Sequence, residues 1–490
     1  MDQKPEGELI EVIMSPSKEE LEEDAEVLRL KTLLYTPEEE KKVVRKFDLH
    51  ILTFLCALYM LSYLDRGNIG NAKTAGMNKD LGMTDSQFQW LLTIFYISYI
   101  VFQWLTMLWK IFPPRFYVPC VVIAWGVISS CFAAANNWGG LMAMRFLLGV
   151  LEAGFGPGVP YYLTFFYYRH EVAWRTGIFM AVSPLSSAFA GALAYGITKN
   201  ELAIENWRVL FLVEGLPTIA VGIIGFYAIQ NEGRTCRFLT PREQDIAAAR
   251  TIKQTGTPER ENKFELSEIV SSFADLKNWC CMLMFFSINV SFASLPVYMP
   301  TIIEEMGYSS VNAQGLSAPP YIVTTIVVLL ASWLSDKYQV RSLFICGITI
   351  IGSVGYLLLA FIDTVGVRYF ACFLIAVGIF PAVPLLITWS GNCHSSDGKK
   401  GMGFVLLQVV GQCGPLLGTR IFPASDGPRY QKGCLISFGF LAFTCILALV
   451  LRFHLQRLNK KLDGEYGQVD PDARAAVEVG QTKENFRFIL

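Results

Sequence analysis

Charge is scarce in this sequence. Only 17% of its 490 residues are Asp, Glu, Lys or Arg, against about 25% in soluble domains. The deficit excludes an ordinary water-soluble domain. Net charge is -1 at pH 7, which gives no electrostatic footprint for nucleic acid. Histidine is scarcer still. His50, His170, His394 and His454 are scattered and form no zinc-hydrolase spacing. The 12 cysteines lie mostly inside apolar runs, and adjacent Cys280 and Cys281 suit neither a C-x-x-C redox pair nor a zinc site. No metal and no cofactor is expected. No G-x-x-x-x-G-K-[ST] segment occurs, which argues against an ATP-driven pump on this chain. Solute movement would draw on gradients instead. The first 40 residues hold no apolar core of a signal peptide. Within them Glu19-Glu20-Leu21-Glu22-Glu23-Asp24 reads as a solvated acidic tail.

What is present is apolar. Hydrophobic residues make up 53% of the chain and mean hydropathy is +0.39. Apolar runs cover Ile51 to Leu64, Phe88 to Phe112, Tyr117 to Ala134, Trp138 to Tyr162, Thr176 to Ile197 and Leu210 to Ala228. A polar stretch follows, then Cys280 to Ile303, Ala318 to Leu334, Ser342 to Ile362, Tyr369 to Trp389, Gly401 to Ile421 and Cys434 to Phe453. The expected fold is an all-α membrane protein of twelve transmembrane helices in two six-helix halves around a midplane site. The expected divisions are an acidic tail over 1–46, a bundle over 47–229, a central loop over 230–278, a second bundle over 279–453 and a C-terminal tail over 454–490, polar and mobile from Asp463 onward. Lys and Arg crowd both flanks and the central loop, so the positive-inside rule puts both termini in the cytoplasm. In the loop, Thr240-Pro241-Arg242-Glu243 has the grammar of a capped helix start.

Charges inside the runs are the candidates for function. Ile51 to Leu64 is too short to cross a hydrocarbon core of about 30 Å at about 1.5 Å per residue. A helix that crosses must continue through Asp65 and Arg66. Each ionisable group at a helix centre costs about 2.5–3.5 kcal/mol on insertion scales, so such groups face a cavity or a partner. A wet helix end is the competing reading of this pair. In the fourth run, Arg145 and Glu152 are two turns apart on one face, roughly 10 Å along the axis. Glu152 is the natural proton carrier. For Arg145, a structural ion pair and a functional role stay equally open. Gln408 and Gln412 in the eleventh run and Asn289, Ser291 and Ser294 in the seventh are candidates to line a cavity; helix-to-helix hydrogen bonding is the commoner use of such residues.

Three segments carry a resemblance. Asp65 to Ala72, Arg145-Phe-Leu-Leu-Gly149-Val-Leu-Glu152-Ala-Gly-Phe-Gly-Pro157-Gly158 and Trp333-Leu334-Ser335-Asp336-Lys337-Tyr338 together resemble the major facilitator superfamily. The last of these, with Arg341 beyond it, is similar to that superfamily's G-x-L-x-D-[RK] loop, with Ser332 in the glycine's place. The matching loop after the second run, Trp109 to Arg115, is degenerate. Within the superfamily the chain resembles the anion:cation symporter family, and most of all its fungal branch of allantoate, nicotinate, biotin and pantothenate permeases. The likeness runs from about Phe47 to Phe453. It implies a monomeric plasma-membrane importer that carries a small organic anion with protons across the lipid bilayer by alternating access. On the matching positions, Arg66 would hold the substrate carboxylate, Asp65 and Glu152 would carry protons, and Arg145 would couple to Glu152. Asp336, Lys337 and Arg341 would form the gating loop, while Arg145, Gln408 and Asn289 complete the candidate substrate-binding set. An exporter or exchanger of a carboxylate metabolite is the alternative. A non-transporting sensor is a third reading, and retention of all four charges argues against it. The chain is not expected to be an enzyme.

Overall fold

The computed structural model describes residues 28–200, 203–255, 275–393, 397–467 and 487–490. Helix is the regular structure of these residues. In chain order, α1 is Pro37–Thr74, α2 Asp85–Val101, α3 Pro114–Ala134, α4 Trp138–Leu163, α5 Arg169–Thr198 and α6 Asn206–Ala228. After a loop helix over Pro241–Thr255 come α7 Leu276–Glu304, α8 Ser310–Tyr338, α9 Ser342–Phe361, α10 Val365–Asn392, α11 Asp397–Gly411 and α12 Gln431–Tyr466. Ten of the described helices are long and apolar enough to cross a membrane. The other two crossings are shorter for visible reasons. At Phe102, α2 gives way to a 3-10 stretch over Gln103–Met107. Beyond Gly411, α11 breaks and resumes over Gly414–Gly418, where Pro415 occupies the first turn.

The first helix begins at Pro37, ten residues ahead of the expected bundle start at 47. Thr36 accepts from the Glu39 N–H at 3.2 Å, and Glu39 accepts from the Thr36 N–H at 2.9 Å. With Pro37 at the first position and Glu38 to Glu40 in the first turn, this start is fully capped. Val43 and Phe47 are buried, and the Phe47 ring meets those of Phe166, Tyr167 and Phe238. The helix then runs to Thr74 through one π-turn at Asp48–Leu52. Asp65 and Arg66 therefore lie well inside a helix, Asp65 at 1% exposure, and the wet-end reading is set aside. The acidic segment from Glu19 to Asp24 lies outside the described residues.

The loop helix starts at Pro241 with its own capping box, Thr240 N–H to Glu243 at 2.8 Å. It docks on the first half through charge. Lys46 donates to Glu243 at 2.6 Å. Arg250, 3% exposed, joins Glu40 on α1 and Glu171 on α5 and lies 4.0 Å from the Tyr168 ring centroid. Burial pushes the Glu243 carboxyl up, but Lys46 and the Thr240 N–H outweigh it and hold it below the ordinary carboxylate range. The end of the chain also docks, against the expectation of a mobile tail. Arg487 pairs with Asp463 at 2.6 Å, Asn459 exchanges two hydrogen bonds of 2.9 Å with the Phe488 backbone, and buried Trp389 donates to the Ile489 carbonyl at 2.9 Å.

The two halves meet across α1 with α7, α2 with α11, and α5 with α8. Their approach is tightest at the face opposite the loop helix. A Cβ on Gly70 would come within 2.4 Å of the Val297 carbonyl, and one on Gly191 within 2.4 Å of Ser317 Oγ. Hydrogen bonds tie the halves together at that level. Ser310 donates to the Thr74 carbonyl at 2.6 Å, Thr198 to Gln314 at 2.7 Å, and the Ala424 N–H to Asp85 at 3.0 Å. Thr93 and Thr419 lie 3.2 Å apart.

Replacing Arg250 by Ala leaves the half-buried Glu40 and Glu171 without their cation, a loss on the order of 1–2 kcal/mol. Amide exchange across Ala247 to Ile252 should speed up tenfold or more; unchanged exchange would mean that the apolar face alone holds the loop helix. Cysteines at Thr93 and Thr419 should crosslink readily. Adding Gly70→Val should suppress that crosslink, and an undiminished yield would show that Gly70 does not set the approach.

Candidate substrate site

Two crossings carry the charges. Arg66 leaves α1 toward the seam between the halves, where its guanidinium pairs with Glu152 of α4. Glu152 is fully buried and also accepts from Ser62, one turn earlier on α1, at 3.0 Å. The Arg66 guanidinium lies over the Tyr99 ring at 4.7 Å and near Phe95 at 5.6 Å. Such contacts offset part of its desolvation. Space for it comes from a break in α4. After Ala153 the α-helix gives way to a 3-10 turn over Gly156–Gly158 around Pro157, and a Cβ on Gly156 would already press on Tyr99 Oη at 3.2 Å.

Arg66 forms part of the wall of a cavity between the halves. The first half contributes Tyr59, Tyr63, Tyr96, Tyr99 and Pro157; the second contributes Phe285, Asn289, Phe292, Gln408 and Gln412. Asn289 donates to the Gly411 carbonyl at 3.2 Å, and Gln412 to Gln408 at 3.4 Å. The lining is aromatic, with one cation and a few amides, which is the composition of a site for a small organic molecule. A smaller neighbouring cavity joins Arg66 to Arg145, Tyr96 and Ser294.

Asp65 looks elsewhere. It accepts from Ser129 of α3 and does not line the cavity that Arg66 lines. Adjacent helical positions diverge by about 100°, and here that angle sends one side chain to the seam and its neighbour into the first half. Arg145 also differs from expectation. The ion-pair partner of Glu152 is Arg66, and Arg145 acts on Glu152 through its charge alone. Arg145 lies over Phe132 at 5.2 Å, and its Nε and Nη2 have no hydrogen-bond partner. Residues seven apart on one helix stand about 10 Å apart along its axis, and the nearer cation comes from a neighbouring helix.

The loop residues divide. Arg341 pairs with Asp336 and donates to Ser335 Oγ at 3.0 Å. Exposed Lys337 rests on Trp333 at 5.1 Å. In the degenerate first loop, buried Trp109 donates to the Gly154 carbonyl at 2.7 Å, so an indole braces the α4 break.

A family model described as Major Facilitator Superfamily matches residues 55–419. The chain belongs to the Major Facilitator Superfamily. Its relatives put this superfamily member in the fungal permease-like branch. It is 34% identical over 441 residues to the major facilitator-type transporter hxnP of Emericella nidulans, with 88% of each chain covered. It is 31% identical over 425 residues to the high-affinity nicotinic acid transporter of Saccharomyces cerevisiae, covering 86% of this chain and 79% of that one. Among solved structures, a bacterial homolog of the human lysosomal transporter Spinster, inward-facing and unoccupied, matches with a TM-score of 0.62 at 16% identity, over 85% of this chain and 97% of that one. The proton:xylose symporter XylE matches at 0.60 and 12% identity, over 81% and 94%. These two share the fold. The protein is thus a twelve-helix membrane transporter of this superfamily and not an enzyme.

The cavity tyrosines went unpicked in the sequence. Tyr59 with Tyr63 and Tyr96 with Tyr99 stand four and three apart and so share helix faces. Aromatic pairs are common in membrane helices, and the spacing alone does not separate a cavity wall from a packed core.

Proposed function

We propose that this transporter imports a small organic anion together with protons, and that Arg66 and Glu152 exchange partners to couple the two. The observation that carries the reading is the Arg66–Glu152 pair at the wall of a cavity between the halves. A carboxylate entering the cavity competes for the guanidinium, which matches it bidentately. Glu152 then loses its cation in a fully buried place, where its Oε1 already lacks a hydrogen-bond partner. An ionised carboxylate left there costs several kcal/mol, so it takes up a proton instead. The anion and the proton on Glu152 enter together, and this pair keeps its net charge. The likeness to a nicotinic acid transporter supports an aromatic or other small carboxylate as the cargo, stacked among the cavity rings and turned by Asn289 and Gln408.

The closed face lies opposite the loop helix. With the basic flanks and the loop helix in the cytoplasm, this state faces inward and both termini are cytoplasmic. The plasma membrane is the proposed location and the monomer the proposed unit. Asp336 and Arg341 then sit at the cytoplasmic end of α8 and α9 as the gating loop.

Uptake of labelled small carboxylates, nicotinate among them, should rise as the external medium is acidified, because the proton gradient then favours entry. Glu152→Gln should abolish accumulation above equilibrium while counterflow persists. Arg66→Lys should weaken apparent affinity about tenfold, since a point charge replaces a fork. A panel in which only neutral or cationic compounds enter would overturn the anion assignment. Equal uphill uptake by Glu152→Gln and the unaltered protein would remove Glu152 from coupling.

A further inference from the structure

One buried acid has no part in the scheme above. Glu214 of α6 is 2% exposed, and neither carboxyl oxygen has a hydrogen-bond partner. Packing fixes where it lies. Its neighbour Gly215 sits so close to α3 that a Cβ would come within 2.4 Å of Ser130 Oγ. Ser129, the residue before Ser130, donates to Asp65. Phe211, one turn before Glu214, stacks on Phe132 with centroids 5.0 Å apart, and Arg145 lies over that same Phe132 ring. Glu214 therefore sits at the level of Asp65 and Arg145, which are the charged groups that act on it. Both have bonding capacity to spare: Asp65 Oδ2 and Arg145 Nε and Nη2 are buried without hydrogen-bond partners.

Glu152 is the next charge out, acting on both Asp65 and Arg145, but it is held by Arg66, which leaves two carboxyls and one guanidinium as an uneven trio. A buried carboxylate without hydrogen bonds is costly, and two near each other raise that cost. One arginine answers one of them, so the other holds a proton. We propose that Asp65 and Glu214 share a single exchangeable proton with Arg145 as their common counter-ion, which makes Glu214 a third proton-carrying residue of the transport cycle. In the arrangement described, the Ser129 hydroxyl donates to Asp65, which favours ionised Asp65 and leaves the proton on Glu214. When the proton moves to Asp65, Glu214 becomes the ionised partner of Arg145, and no other bond is made or broken. The role in the cycle rests on the proton-coupled reading of Arg66 and Glu152, but the shared proton is measurable without any cargo.

The test is infrared titration of the purified full-length protein in liposomes, with no substrate added. A C=O stretch from a protonated carboxyl should appear and be lost in Glu214→Gln. In Asp65→Asn the same band should disappear at a more acid pH, by about one unit or more, because a neighbouring negative charge is gone. Should Glu214→Gln fail to fold, Glu214→Asp keeps an acid in place and should move the band's midpoint rather than remove it. A band lost only in Glu152→Gln, or one that Asp65→Asn leaves unmoved, would overturn the shared proton. Because no anion is present, either result stands whatever the transporter carries.

Discussion

A half-buried guanidinium in an apolar bundle has to be answered, and the Arg66–Glu152 pair is the answer on which the centre of this molecule is built. Arginine stays charged under all ordinary conditions, so the structure adapts to it. The break in α4 at Gly156–Gly158 makes room beside α1. Trp109 braces that break from the loop after α2. Tyr99 gives the cation a ring face, and Ser62 gives Glu152 a second donor. Removing either charge alone would leave the other desolvated and unpaired, the expensive outcome for a buried pair. A carboxylate ligand and a proton arriving together avoid that outcome, which is why the pair suits a coupled carrier better than a fixed strut.

The two halves contribute unlike chemistry to the cavity. Its cation comes from α1, with the counter-ion behind it on α4, and both halves supply rings, whereas the amides come from α7 and α11. Charge in the first half and neutral polar groups in the second give a ligand one strongly attractive end and one orienting end. The α11 break serves this arrangement. Gln408 and Gln412 are one turn apart on the segment before Pro415, and Asn289 bonds the carbonyl of Gly411, the last residue before the α-helix gives way.

Much of this was legible in the residues. Asp65, Arg66 and Glu152 declared themselves because charge inside an apolar run has few uses. Gln408 and Asn289 did so for a similar reason. Pairing was not legible. The spacing of Arg145 and Glu152 describes one helix face, while the partner of Glu152 arrives from another helix, and spacing within a helix carries no information about neighbours. Glu214 obeys the same rule that marked Glu152, yet it sits in a run without a second charge nearby to draw the eye. The start of α1 was written in Thr36-Pro37-Glu38-Glu39, a capping box as explicit as the one at Thr240. It was obscured by the acidic stretch before it, which biases the whole flank toward a tail.

The adjacency of Asp65 and Arg66 acquires a physical meaning from their opposed directions. A helix as long as α1, held at Gly70 against α7 and at its base by Phe47 and the loop helix, turns or shifts as a unit. Consecutive residues on it cannot move independently. Whatever displaces Arg66 at the cavity also displaces Asp65 against Ser129, and with it the balance among Asp65, Arg145 and Glu214. The cavity and the buried acids of the first half are therefore joined by one peptide bond rather than by a chain of intermediaries. Coupling across such a link needs no large rearrangement within the half. It needs only that α1 occupy two positions, one when Arg66 is held by Glu152 and one when it is held by something else.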